Sequence, residues 1–329
     1  MKKINSNQND MRRALIVGIN HYDRSPLDGC INDAMHMYEV LSRNDDDSVN
    51  FDCKLLVSEE NSRNKITVTR LKKEIFNLLQ QEAEIAVLYF SGHGAATDIG
   101  SYLVTQDARK YLEGVSLDEV IALANSSKVR EVILILDCCH SGHLGNIKGI
   151  GYRKALLREG VSILTSSRDT QYSMENSDGQ GVFTSIIYQA LRGGGADILG
   201  NVNVSRVYNY VDQLLNTWEQ RPIFKSHVSK MVTIRKCKPK IEFSVLRKLI
   251  EYFTKSDTKY ILDNSYERSL GSNNETNIKV MEYLREYYSL GLLKVNGVKY
   301  LYQAARDNKS CELTSLGQYF WRMVKNNRI

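Results

Sequence analysis

Short, nearly continuous apolar runs recur along the first two thirds of the chain: Ala14–Ile19 (ALIVGI), Lys54–Val57, Ile85–Phe90 (IAVLYF), Val132–Leu136 (VILIL) and Val161–Thr165 (VSILT). The first, third and fourth are nearly continuous in apolar residues, as expected for strands buried on both faces of a parallel sheet. Between and after them, apolar positions return with a helical period over Asn32–Leu41, Thr69–Gln81, Leu117–Asn125, Phe183–Leu191 and Val204–Leu215. Asp33 and Ser116 stand where helix caps or first turns are expected. Strands alternating with helices predict an α/β domain, its parallel sheet held between helical layers.

The rhythm changes after Pro222–Ser226, and Cys237-Lys238-Pro239-Lys240 reads as a linker, because proline interrupts regular structure and lysines stay solvated. Beyond it, Phe243–Thr254 and Asn277–Leu290 carry a helical pattern. Leu293–Val295 and Lys299–Ala304 flank Asn296-Gly297, a strong hairpin signal. A last helix follows Leu313-Thr314, with Leu316, Tyr319, Phe320 and Met323 at helical spacing. Helices, a hairpin and a closing helix predict a small winged-helix-like α+β domain over 240–329. The expected division is a disordered leader over 1–11, a main domain over 12–236, and this accessory domain.

Composition narrows the classes. The chain has 329 residues, 42% of them hydrophobic and 25% charged, which suits folded domains of ordinary kind. No run approaches the length that spans a bilayer, and the polar first residues lack the apolar core of a signal peptide. Six cysteines in so long a chain do not make a disulfide framework, so a reducing cytoplasmic location with no membrane partner is expected. Net charge is +6. From Lys240 onward there are fifteen Lys and Arg against ten Asp and Glu, and before it 29 against 28. The excess is spread among acids and reads as solvated surface.

Two strands end in unusual polar sequence. IAVLYF runs into Ser91-Gly92-His93-Gly94, and VILIL into Asp137-Cys138-Cys139-His140-Ser141-Gly142. Ligand sites in open parallel sheets gather beyond the carboxyl ends of strands, so a histidine and a cysteine there can meet. An imidazole beside a thiol takes its proton or stabilises the thiolate. Glycine after the histidine lets backbone approach a substrate, and the amides of Gly94 and Cys139 can face a developing oxyanion. Inert packing is the competing reading for either cysteine. Zinc on Cys138, Cys139, His140, His143 and His93 is a third, disfavoured because Cys-x2-4-Cys spacing and a second ligand pair are absent.

The strand–SGHG and strand–DCCHSG pair resembles the peptidase core of caspases, metacaspases and their bacterial relatives. LIVGINHY (Leu15–Tyr22), LDGCINDA (Leu27–Ala34), TSSRDTQYSME (Thr165–Glu175), GVFTSIIYQAL and QRPIF resemble further family segments in the same order. The resemblance spans residues 12–235. It implies a caspase-like three-layer sandwich with a mostly parallel six-stranded sheet, and a cysteine endopeptidase. Cys139 is then the nucleophile, His93 the general acid and base, Gly94 and Cys139 the oxyanion hole, and Cys138 a packed neighbour. It further implies a primary pocket lined by Cys30, Asp33, Ser91 and Asp137. Two carboxylates in one concavity favour a cationic side chain, so cleavage after Arg or Lys is expected. His140 replaces the arginine of the caspase nucleophile motif, which argues against aspartate specificity. For Asp33 the competing reading is a carboxylate favoured by a helix N-terminus.

Lys148, Arg153, Lys154 and Arg158 follow the nucleophile in a glycine-containing stretch and are candidate autocleavage sites. No cofactor is expected. Some metacaspases bind calcium, and Asp107 and Asp118 are the candidate ligands here, but Leu117 and Asn146 stand where further acids would be needed. In the accessory domain the helix before the wing carries Lys279 and Arg285 beside Glu275, Glu282 and Glu286. Those acids disfavour phosphate, so a regulatory protein partner is expected rather than nucleic acid. The family likeness also extends to regulated bacterial stress or defence proteases, including antiviral ones. Two other readings stay open: an inactive caspase-like scaffold recruiting partners through the accessory domain, and a DNA-binding regulator.

Overall fold

A computed structural model of the chain describes residues 11–58, 65–97, 100–109, 112–138, 156–166, 181–215 and 222–329. Two units separate at Lys238/Pro239. In the first, the order is β1 (Arg12–Gly18), α1 (Cys30–Ser42), β2 (Asp52–Val57), α2 (Val68–Gln80), β3 (Ile85–Ser91), β4 (Gly94–Thr97), β5 (Gly100–Arg109), β6 (Leu112–Ser116), α3 (Leu117–Ser126), β7 (Glu131–Asp137), β8 (Val161–Thr165), α4 (Val182–Gln189), β9 (Asn201–Val202), α5 (Val204–Leu214), β10 (Ile223–His227) and β11 (Arg235–Lys236).

The apolar runs form the expected sheet, in the order β10-β8-β7-β3-β1-β2. All neighbours are parallel except β10, which runs antiparallel to β8. Alternate residues along each strand feed separate cores, as the strand period of two requires. Leu15, Val17, Leu88, Phe90, Leu134 and Leu136 pack with Leu71 and Ile75 of α2 and with Val120 of α3. Ala14, Ile16, Val87, Tyr89, Ile133 and Ile135 pack with Ala34 and Met37 of α1, Phe183 and Ile187 of α4, and Val207 of α5. The three-stranded antiparallel sheet β4-β5-β6 is an addition that the strand pattern did not reveal. Its strands are mostly half-exposed and scatter their apolar residues among Gly, Ser, Thr, Gln and charged positions.

The second unit contains α6 (Phe243–Arg247), α7 (Leu249–Tyr252), β12 (Tyr260–Ile261), α8 (Glu275–Ser289), β13 (Leu293–Val295), α9 (Leu301–Arg306), β14 (Ser310–Leu313) and α10 (Ser315–Lys325), with an antiparallel sheet in the order β12-β14-β13. Two expectations are corrected. Gly297 turns the chain with φ 76°, but the partner of β13 is β14, and Leu301–Arg306 is helical. Gln303 Oε1 accepts the amides of Lys299 and Tyr300, capping α9, while Leu301, Ala304 and Ala305 bury one helical face. The closing helix turns inward through Gly317, Phe320, Trp321 and Val324, whereas Leu316 and Tyr319 are exposed. Trp321 Nε1 donates to the Phe253 carbonyl, and a side chain on Gly317 would strike the Leu292 carbonyl, which together set that rotation.

Candidate active site

The register brings the carboxyl ends of three neighbouring strands level: Gly18 lies opposite Ser91, and Ser91 opposite Asp137. His93 and Cys139 each follow two residues further along their chains. Cys139 lies outside the described residues, as do His140, His143, Asn146, Lys148, Arg153 and Lys154. His93 is half-buried against Tyr22, with ring centroids 4.7 Å apart. Its Nε2 stands 2.6 Å from the Ser25 carbonyl. A carbonyl only accepts, so this nitrogen carries the proton and Nδ1 is left as the basic one. Ser25 holds its carbonyl there from a left-handed backbone, φ 56°, which costs a non-glycine residue about 1 kcal/mol or more. The Tyr22 hydroxyl accepts the His93 amide at 3.0 Å and donates to the Val104 carbonyl at 3.3 Å. Burial pushes the Tyr22 phenol well above its ordinary range, with Cys30 and Cys138 adding to the shift. It therefore stays a neutral donor. Gly94 opens β4 opposite Leu103, so the expected oxyanion donor lies in the small sheet beside His93.

Beneath this end of the sheet two carboxylates converge. Asp33, in the first turn of α1, is 2% exposed. α1 reaches this position because Gly18 has no side chain: a Cβ there would lie 2.4 Å from the Cys30 carbonyl oxygen. Ser91 Oγ donates to Asp33 Oδ2 at 3.2 Å, and the Gly181 amide donates to Oδ1 at 3.1 Å. The competing reading of Asp33 as a simple helix-end charge is thereby too narrow, since partners from β3 and from the start of α4 also hold it. Thr184 Oγ1 donates to Asp137 Oδ2 at 2.7 Å. Tyr89, 2.6 Å away, must then give its own proton to Thr184, making a directed chain from phenol to hydroxyl to carboxylate. Burial holds the Tyr89 phenol well above its ordinary range, and the charges of Asp33 and Asp137 push it the same way. A methyl on Gly181 would come within 3.0 Å of Asp33 Oδ2 and 3.1 Å of Asp137 Oδ2, so both acids face one small volume. Cys30 is buried at the first residue of α1.

The four expected pocket residues thus gather at one sheet end, together with His93 on the adjoining turn. Tyr22, Ser25, Tyr89, Gly181 and Thr184 escaped the sequence reading. All but Ser25 fell within quoted segments, Tyr22 in LIVGINHY, Tyr89 in IAVLYF, and Gly181 and Thr184 in GVFTSIIYQAL, but none was given a role there. Cys138 is 3% exposed and packed in the α2–α3 core. Arg158 stands apart: its guanidinium donates to the carbonyls of Ala124, Val129 and Glu159, and its amide to Asn125. Peptide cleavage after it would require that clasp to open.

Of the calcium candidates, Asp107 lies near the end of β5 and Asp118 in the first turn of α3. Asp107 Oδ1 accepts the Val68 amide at the start of α2 and the Thr105 hydroxyl. Among the described residues no three His, Cys, Asp or Glu gather where a metal could be held.

The family model of the Caspase domain matches residues 11–233, well over half of the chain. The chain belongs to the Caspase domain family. Metacaspase-5 of Trypanosoma brucei brucei is 30% identical over 154 residues, covering 40% of this chain and 29% of that protein. This chain therefore matches less than a third of that relative's length. The crystal structure of caspase-1 from Spodoptera frugiperda aligns at TM-score 0.49 and 14% identity, over 70% of this chain and 93% of that one. The caspase-like fold stated above rests on the family match and on the sheet described here. The family is one of cysteine-type peptidases. No helix among the described residues is long and apolar enough to cross a membrane.

Proposed function

We propose that this caspase-domain protein is an endopeptidase that cuts protein substrates after Arg or Lys, with Cys139 as nucleophile and His93 as its base. The observation that carries the specificity is the convergence of Asp33 and Asp137 on Gly181. Two carboxylates facing one volume, Asp33 buried and Asp137 half-buried, repel each other, and a guanidinium or ammonium entering between them relieves that repulsion while gaining charge-assisted hydrogen bonds. An acidic side chain in the same place would add a third negative charge. For the chemistry, the Ser25 carbonyl and the Tyr22 hydroxyl fix His93 from two sides, so that Nδ1 is the nitrogen available to a thiol. Gly94 and Cys139 supply the oxyanion amides in this reading.

Fluorogenic peptides ending in Arg, Lys or Asp before the reporter test it, with wild type and Cys139→Ala compared in the presence and absence of calcium. Cleavage of the Arg and Lys peptides by wild type alone supports the reading. Turnover of the Asp peptide, or none of any peptide with intact protein, would favour another specificity or the scaffold reading. Lys148, Arg153 and Lys154 are the proposed autocleavage points, checked by intact mass after activation.

The second unit serves as a docking module for a regulatory protein. On α8, Arg285 is bound by Glu267 at 2.6 Å, and Glu282 and Glu286 remain exposed beside Lys279. That face repels phosphate, which disfavours a DNA-binding role. Control by such a partner is in keeping with a cytoplasmic stress or defence protease.

A further inference from the structure

The last residues of the first unit are seated on it by an unusual density of bonds. Arg12 donates to the carbonyls of Thr233 and Ile234, and Asn50 also donates to Ile234. Cys237 gives its amide to Gly200, while the amides of Lys236 and Lys238 reach Asn44 and Asp45. At the centre is Arg235, 8% exposed. Its Nε donates to the Arg43 carbonyl at 3.0 Å, its Nη1 to the Leu191 carbonyl at 3.0 Å and to Cys237 Sγ at 3.3 Å, and its Nη2 lies 3.5 Å from Asp45. The Cys237 thiol donates to the same Leu191 carbonyl at 3.2 Å.

Leu191 is not an incidental acceptor. It lies in the π-helical turn Ala190–Gly194, which continues α4 without a break until Gly193 departs from helical geometry at φ 120°. Carbonyls in the final turn of a helix lack partners within it, and a cation is favoured there. The opposite end of the same helix is the end that meets the acidic pair: Gly181, its cap, donates to Asp33, and Thr184 donates to Asp137. α4 is thus held by carboxylates at its N-terminus and by a buried guanidinium at its C-terminus. Phe183, Ile186, Ile187, Ala190 and Leu191 bury one continuous stripe between these ends. A helix fixed at both ends and packed along its length moves as a unit.

We infer that Arg235 is a positioning residue for the primary pocket: by gripping the Leu191 carbonyl it sets where α4 presents Gly181 and Thr184 to Asp33 and Asp137. It touches no substrate in this reading and acts through the helix. Because the chain passes into the second unit only four residues later, at Pro239, a pull on 235–238 is felt at the pocket. The inference deepens the proposed basic-residue specificity and rests on it for its kinetic part only.

Four full-length variants test it: Arg235→Gln, Arg235→Lys, Cys237→Ala and, as a control that loosens the same segment without touching Leu191, Arg12→Gln. Amide exchange is followed by mass spectrometry over 181–187, beside KM and kcat for an Arg peptide. For Arg235→Gln we expect exchange over 181–187 to rise and KM to rise about tenfold with kcat within about twofold, since ground-state binding of the cation is what is lost. Arg235→Lys recovers part of this, Cys237→Ala shows a smaller shift in the same direction, and Arg12→Gln leaves 181–187 as in wild type. Faster exchange confined to 190–194 and 235–238, with unchanged KM, would overturn the inference. Should Arg235→Gln fail to fold, wild-type exchange over 181–187 in both Arg235→Lys and Cys237→Ala overturns it equally. Should wild type cleave no basic peptide, the specificity reading fails, and the exchange data alone decide the positioning role.

Discussion

The two faces of the central sheet carry the same kind of strand residue almost to the end, and then diverge. On the α2–α3 face the series Leu134, Leu136, Cys138 stays apolar and buried through one residue past the end of β7. On the α1–α4 face the series Ile133, Ile135, Asp137 and the series Val87, Tyr89, Ser91 turn polar within the last turn of each strand. One face ends in packing and the other in a network of Asp33, Ser91, Tyr89, Thr184 and Asp137. Residue parity along a strand, and not closeness in sequence to the nucleophile, separates a residue that fills space from one that recognises a ligand.

Substitutions on opposite faces give the sharpest tests of that division. Cys139→Ala and His93→Ala should each reduce peptide turnover by about 10³-fold or more, read as kcat/KM, because they remove the proposed nucleophile and its proposed base. Cys138→Ala leaves kcat/KM near wild type and lowers unfolding free energy by about 1 kcal/mol in denaturant titration. A reversed outcome for the two cysteines would break the parity rule. On the polar face, Asp137→Asn lowers kcat/KM for Arg peptides by about 10- to 100-fold, as expected for losing one charged hydrogen bond of about 1.5–3 kcal/mol.

Smaller effects probe the supports. Thr184→Val interrupts the path from Tyr89 to Asp137 and takes one bond each from buried Tyr89 and half-buried Asp137, destabilising by about 1–3 kcal/mol with a rise in KM. Tyr89→Phe is smallest near neutrality and shows itself in alkali. The folded state holds the Tyr89 phenol above its ordinary range, so its contribution is whole below about pH 10 and is lost as pH climbs beyond that, where the unfolded chain ionises first. Stability measured between neutral and strongly alkaline pH should therefore fall less steeply in Tyr89→Phe. An identical alkaline decline would remove Tyr89 from the account.

The sequence reading succeeded where information is local. Five apolar runs became five strands of the six-stranded sheet, most plainly β1, β3 and β7, because a strand buried on both faces writes most of its length in apolar residues. The pocket acids were named because family segments preserve their order along the chain. Elsewhere it failed for identifiable reasons. The sheet β4-β5-β6 has half-exposed strands rich in small and polar residues, which leave no periodic trace. The hairpin after Asn296-Gly297 was drawn too tight because the turn signal reports where a chain bends, not which later strand it returns to. The rotation of α10 was missed because Gly317 and Trp321 are placed by contacts from residues far away in the chain.

By itself the sequence determined the fold class, and it named His93 and Cys139 as the candidate chemical pair and Asp33 and Asp137 as candidate pocket acids, since each is written in residue type, order and local period. The tertiary structure alone decided that Asp33 and Asp137 share a single volume, that Tyr89 and Thr184 orient one of them, and that Arg235 holds the far end of the helix between. Those partners lie 44 to 104 residues apart along the chain, and only folding closes such distances.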